Sequence, residues 1–95
     1  MAHKGYIVVG NGVYNQEDLG WDFARGMNKI WVDRVIDQDE DGIRLRRTYD
    51  IDDIAVRMLV AQGSASVRII GRPRKLDAIK AKIEKETKFR LEEMK

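Results

Sequence analysis

Seven residues of this chain have the types and spacing needed to bind nucleic acid. Six are basic and lie between residues 44 and 75, and their guanidinium and ammonium groups can bind phosphate oxygens. The seventh is a tryptophan, whose ring can stack on a base if it is exposed. The predicted nucleic-acid contacts are Arg44, Arg46, Arg68, Arg72, Arg74, Lys75 and Trp31.

The charge of the chain is distributed unevenly between its two halves. The formal net charge is +2. Residues 1–42 contain four basic and eight acidic side chains, whereas residues 43–95 contain fourteen basic and eight acidic ones. Such a division can present a basic face to phosphates or an acidic face to a basic protein. The alternative is that the two halves neutralise each other within the fold.

Three of the basic residues surround the start of a predicted helix. Pro73 suits the first turn of a helix, where its missing N–H is not needed. Arg72, Arg74 and Lys75 then lie where free backbone N–H groups and positive side chains can meet one phosphate. An ordinary solvated basic loop is the alternative interpretation.

The stretch from Val67 to Glu93 adds a family resemblance. Its Ile-Ile-Gly, its helical I-x-x-I-x-x-E-T spacing and the alternating residues that follow look like the strand and helix segments of KH nucleic-acid-binding domains. The resemblance covers less than a third of the chain and implies nucleic-acid binding. Gly71-Arg72-Pro73-Arg74 stands where KH domains have a G-x-x-G clamp, and it lacks the second glycine.

Two further patterns suggest ligand binding. Residues 37–42 spell D-x-D-x-D-G, the first half of a calcium loop, but Thr48 stands where such a loop needs its bidentate acid. We therefore expect a hydrated surface turn and no metal site. Gly10-Asn11-Gly12 resembles the nucleotide-binding turn of the Rossmann group, but Asn15 replaces the third glycine, so a common loop is favoured.

Periodicity and capping residues predict an α+β fold. The predicted order is a ferredoxin-like β-α-β-β-α-β sandwich with an appended C-terminal helix and strand, on a mostly antiparallel sheet. A single domain spanning residues 1–95 is expected. The elements are a strand from Tyr6 to Gly10, a helix from Asn15 to Asn28, a hairpin from Ile30 to Tyr49, a helix from Ile51 to Gln62, a strand from Ser66 to Gly71, a helix from Pro73, and a strand from Thr87 to Leu91.

The hairpin decides whether Trp31 is exposed. A turn closed by Asp37 and Gly42 pairs Asp33 with Arg46 and places Trp31, Arg44 and Arg46 on the outer face. A register slip of one residue reverses the faces. Trp31 is then equally compatible with the core.

Catalysis is poorly supported by the sequence. The chain has no cysteine, one histidine near its N-terminus and no serine in a nucleophile-elbow context. We therefore expect no enzyme activity and no cofactor. No apolar run approaches the length of a membrane span, so a cytoplasmic location without membrane contact is the default expectation.

The sequence thus predicts a non-catalytic nucleic-acid-binding module, acting on RNA or DNA through a basic loop and an arginine-bearing strand. The alternative is a regulatory or inhibitory module that binds a protein through its acidic half or a sheet edge. That alternative includes self-association as a homodimer.

Overall fold

A computed structural model describes residues 1–10 and 15–94 of the protein. Within these ranges the chain forms six strands, two α-helices and one turn of 3₁₀-helix. The predicted Gly10-Asn11-Gly12 turn falls mostly outside the described residues. The elements in chain order are β1 (Ala2–Val9), α1 (Gln16–Trp31), the 3₁₀ turn (Val32–Arg34), β2 (Val35–Glu40), β3 (Leu45–Ile51), β4 (Ile54–Ala61), β5 (Ser64–Gly71), α2 (Pro73–Thr87) and β6 (Arg90–Glu93).

The strands form one antiparallel sheet in the order β2-β3-β4-β5-β1-β6. Strands β2 to β5 follow one another as a meander of hairpins, and β1 lies between β5 and β6. The predicted α+β class with an antiparallel sheet is confirmed. The finer ferredoxin-like order is not confirmed, because four consecutive strands separate the two helices.

The helix predicted from Ile51 to Gln62 is wrong. Residues 54–61 form β4, in which Ile54, Val56, Met58 and Val60 alternate toward the core. The preceding acidic residues make the tight turn between β3 and β4 instead of a helix cap. Asp52 and Asp53 both adopt positive φ angles, of 53° and 67°, as the two central residues of a hairpin turn of the primed type require.

The predicted pairing of the β2–β3 hairpin is also wrong. Helix α1 extends to Trp31, so Ile30 and Trp31 are helical and cannot be strand residues. Arg46 therefore lies opposite Asp39 rather than Asp33. A bulge between Val35 and Asp37 shifts the register at the start of β2.

The two helices were otherwise predicted well. Asn15 caps α1, and its side chain accepts a hydrogen bond from the Asp18 amide at 2.8 Å. Helix α2 begins at Pro73 as expected. On its outer side Lys80 and Glu84 form the predicted ion pair, at 3.0 Å. Neither described helix combines the length and apolar character needed to cross a membrane.

Both helices pack on one face of the sheet, and the main core lies between them and that face. We call this the covered face, and we call the opposite side the open face. Burial alternates along β4 and β5 accordingly, and along β3 except at Thr48, which is also buried. The largest fully buried side chains are Tyr6, Tyr49, Phe23, Met27, Leu45, Ile51, Ile54, Met58, Ile69, Leu76, Ile83 and Val8.

Candidate nucleic-acid interface

The centre of the open face carries two arginines side by side. Arg57 of β4 and Arg68 of β5 are directly opposite each other in the antiparallel pairing. Both are exposed, because the residues that flank them in each strand turn to the covered face. Side chains directly opposite have Cβ atoms about 4.5–5.5 Å apart. The two arginine side chains therefore leave the sheet from neighbouring positions on the same face.

Neither of these arginines is neutralised by an acid in the described part of the chain. Arg57 Nε donates to the hydroxyl of Thr48 at 3.3 Å, and no ion pair involves Arg57 or Arg68. Arg46, on the same face, differs because its Nε lies 3.5 Å from a carboxylate oxygen of Asp37. Like charges directly opposite each other destabilise a sheet. An anion bound between Arg57 and Arg68 would relieve this repulsion.

Apolar side chains fill the spaces around the arginine pair. Leu59 of β4 is 44% exposed. Ile7 and Ile70 are half-buried, and each follows a residue that turns to the covered face. Gly5 lies opposite Arg68, and the Met94 side chain lies over Gly5, with its sulfur 3.5 Å from the position that a Gly5 Cβ would take. The open face thus combines positive charge with apolar side chains.

A groove of about 440 Å³ runs beside Arg46 at the end of the sheet where β4 turns into β5. Its lining includes Arg44, Arg46, Ser64 and Ser66. Arg44 belongs to the β2–β3 turn and lies 3.5 Å from a carboxylate oxygen of Asp41. The groove therefore brings together two of the predicted contacts, each of which already has an acidic partner.

The acidic β2–β3 turn is organised by its own backbone. Asp41 Oδ1 accepts hydrogen bonds from the amides of Arg44 and Ile43, at 2.9 and 3.0 Å. These bonds hold the pKa of Asp41 below its ordinary value, with Arg44 adding charge attraction. Among residues 1–10 and 15–94, no three potential metal-ligating side chains form a group able to hold a metal ion.

The basic start of α2 is a separate site. Arg72 is the N-cap residue of α2, Arg74 is exposed, and Lys75 Nζ lies 3.3 Å from the backbone carbonyl of Asp52. Across the sheet, Arg46 lies at the same level as Ser66 of β5. Ser66 is six residues before Arg72, so at strand spacing Arg46 and Arg72 are about 20 Å apart. The structure therefore does not bring the predicted contacts Arg44 and Arg46 close to the predicted contacts Arg72, Arg74 and Lys75.

Trp31 lies in the core and not on the outer face of the sheet. It ends α1 and is only 7% exposed. Its stacking role was predicted only for an exposed ring, and in this structure the ring is buried.

Arg57 is the exposed open-face arginine that sequence reasoning missed. The helix predicted over residues 51–62 concealed it, because helical periodicity does not place Arg57 beside Arg68. The strict alternation of Val56, Met58 and Val60 with Arg57 and Leu59 was the available signal, since it has the period of a strand.

Comparison of the chain with protein-family models, with curated proteins and with solved structures found no match. The geometry of the chain itself is therefore the basis for a functional assignment.

Proposed function

We propose that the protein is a non-catalytic nucleic-acid-binding module whose open sheet face holds the phosphate backbone of a single strand. The observation that carries this proposal is that Arg57 and Arg68 are opposed and exposed, with no acidic partner among residues 1–10 and 15–94. Repulsion between them lowers the stability of the free protein, and a bound phosphate converts that repulsion into attraction.

The surroundings of the pair favour a single strand over a duplex. Unstacked bases can lie on the apolar floor formed by Ile7, Leu59 and Ile70, whereas the paired bases of a duplex cannot. Arg46 extends the positive row toward β2, although Asp37 competes for it. Contacts of this kind follow the backbone, so binding is expected to depend weakly on base sequence.

The proposal is tested by measuring oligonucleotide affinity against salt concentration. Single-stranded and double-stranded oligonucleotides are compared with the wild-type protein and with an Arg57→Ala/Arg68→Ala variant. Loss of two phosphate contacts is expected to reduce the slope of log affinity against log salt by about 1.4 on a single strand. At low salt the affinity is expected to fall by at least about tenfold.

Two other double variants serve as comparisons. Arg34→Ala/Lys85→Ala removes two exposed positive charges outside the strands and controls for net charge alone. Arg72→Ala/Arg74→Ala tests the basic start of α2. The proposal is rejected if the Arg57/Arg68 and Arg34/Lys85 variants lose affinity equally, or if no oligonucleotide binds at low salt.

A second candidate function is protein binding at the β2 edge of the sheet. Strand β2 is one of the two edge strands of the sheet. Ile36 within β2 and Ile43 in the turn that follows it are 63% and 67% exposed, an unusual amount for isoleucine. An edge of this kind can accept an extra strand from a protein partner or from a second copy. Sedimentation of Ile36→Lys against the wild type separates the two partners, because only self-association makes the mass of the pure protein depend on concentration.

A further inference from the structure

The covered face of the sheet contains a buried arginine. Arg47 of β3 is 7% exposed and lies beneath α1. Its Nε donates to Gln38 Oε1 at 2.7 Å, and its Nη1 donates to the Tyr49 hydroxyl at 3.1 Å and to the Ala24 carbonyl at 3.4 Å. These acceptors orient the guanidinium group, but all of them are neutral.

No carboxylate neutralises Arg47 in the part of the chain that the structure describes. Tyr49 does not supply a negative charge either, because burial raises the pKa of its phenol despite the hydrogen bond from Arg47. Arg47 Cζ also lies 5.9 Å from the centroid of the Tyr49 ring, a cation–π contact. Burying a charge without an opposite charge is nevertheless costly, and a bound anion would offset that cost.

Arg47 opens into a pocket between α1 and the β2–β3 hairpin. The pocket has a volume of about 300 Å³, and its walls include Trp21, Asn28, Lys29 and Glu40. Nη2 of Arg47 has no hydrogen-bond partner among the described residues, and it is not among their fully enclosed unpaired atoms. Nη2 is therefore not fully enclosed, and Arg47 is one of the residues that line the pocket.

The other walls suit a small aromatic anion. Lys29 is exposed at the rim and has no ion-pair partner within residues 1–10 and 15–94. The Asn28 oxygen accepts from Tyr49 at 3.4 Å, which leaves its NH₂ group free to donate. Trp21 is half-buried and offers a flat apolar surface. Glu40 is the only acid in the lining.

We propose that this pocket binds a small molecule in which an oxyanion, phosphate or carboxylate, is attached to a planar aromatic ring. Arg47 and Lys29 bind the oxyanion, Asn28 donates a further hydrogen bond, and the ring lies against Trp21. Glu40 competes with the ligand for Arg47. The site is on the covered side of the sheet and shares no residue with the open-face interface.

The test uses phenyl phosphate and benzoate as probes. Phenol, which has only the ring, and inorganic phosphate, which has only the charge, are the controls. Binding is followed by the shift of the Trp21 indole N–H signal in NMR spectra, assigned with Trp21→Phe. We expect phenyl phosphate or benzoate to bind at least about tenfold more tightly than phenol or phosphate. The tighter of the two identifies the oxyanion.

Substitutions connect the binding to the proposed residues. Arg47→Gln is expected to abolish binding, Lys29→Gln to weaken it about threefold and Glu40→Gln to strengthen it about threefold. Glu86→Gln and Lys85→Gln are controls that make the same two charge changes on the exposed side of α2, and they should leave affinity unchanged.

Lys29 and Glu40 are surface residues, so their variants test the site even if Arg47→Gln does not fold. The proposal is overturned if neither aromatic anion shifts the Trp21 signal. It is also overturned if the Glu40 and Glu86 variants respond alike. Loss of oligonucleotide binding in the Arg57→Ala/Arg68→Ala variant leaves this site unaffected, so the two proposals fail independently.

Discussion

Arg46 and Arg47 are adjacent in the chain but lie in opposite surroundings. Arg46 projects from the open face, where water and Asp37 solvate its charge. Arg47 projects from the covered face, where Gln38, Tyr49 and the Ala24 carbonyl hold a nearly dehydrated guanidinium group. One step along a strand therefore separates an exposed arginine from a nearly enclosed one. The count of basic residues in the second half could not distinguish them.

The same alternation divides β4 into residues that pack in the core and residues that form the open face. Its even-numbered residues from Ile54 to Val60 are buried against the helices. Arg57 and Leu59 point away from the helices and contribute surface chemistry. The turn at Asp52 and Asp53 sets this phase, because it fixes which residues of β3 and β4 stand opposite each other.

The largest difference between the faces is expected for the neighbours Met58 and Leu59. Met58 is 1% exposed, so Met58→Ala should leave a cavity and lower the free energy of unfolding by about 2–5 kcal/mol. Leu59→Ala on the open face should change it by less than about 1 kcal/mol. Urea unfolding measures both. Equal losses would show that the open face is packed against something in solution.

A second contrast lies in α1, where two glycines differ in their distance from the sheet. A Cβ added at Gly20 would lie 2.5 Å from Ala65 Cβ and 3.0 Å from a Val60 methyl group. Gly20→Ala should therefore lower the free energy of unfolding by about 1–3 kcal/mol despite its better helix propensity.

Gly26 is the matched control for Gly20. Its added Cβ would have its nearest contact at 3.8 Å, to Thr87, which is ordinary packing. Gly26→Ala should then raise the free energy of unfolding by up to about 1 kcal/mol. Thermal and urea unfolding of the two variants should shift in opposite directions. A stabilising Gly20→Ala would contradict the close contact between α1 and the β4–β5 hairpin.

The two helices were predictable because several local signals agreed. In α1 the N-cap Asn15 precedes an apolar stripe at helical spacing, and in α2 Pro73 precedes another. The end of α1 was misplaced by three residues. The sequence from Asn28 to Trp31 has no glycine or proline to end a helix, and β-branched Ile30 beside Trp31 also suits a strand.

Strand β4 was missed because its residues satisfy two periods at once. Ile51, Ile54 and Met58 recur at helical spacing, while Ile54, Val56 and Met58 recur at strand spacing. Asp50 to Asp53 resemble a helix cap, whereas a tight hairpin turn usually carries asparagine or glycine. The positive φ angles of Asp52 and Asp53 are imposed by pairing between β3 and β4, which local sequence does not reveal.

The candidate interface was therefore predictable only in part. Arg46 and Arg68 were identified because they lie in predicted strands. Their relation to Arg57 depended on the register of three strands, which is a tertiary property. The burial of Arg47 could not be predicted for the same reason, because it depends on which face of β3 helix α1 covers.

The smallest expected effect is a difference in the free energy of unfolding between substitutions at two arginines of the open face, Arg68 and Arg46. Arg68→Thr removes one of two opposed like charges, so it should raise the free energy of unfolding by about 0.2–1 kcal/mol while weakening oligonucleotide binding. Arg46→Thr is the matched control, because it removes an arginine with an acidic partner and should bring no gain in stability. Urea unfolding at low salt measures the difference, and added salt should diminish it by screening the repulsion. If Arg68→Thr destabilises the protein at low salt, Arg57 and Arg68 do not repel each other appreciably, and an anion bound between them would relieve no repulsion.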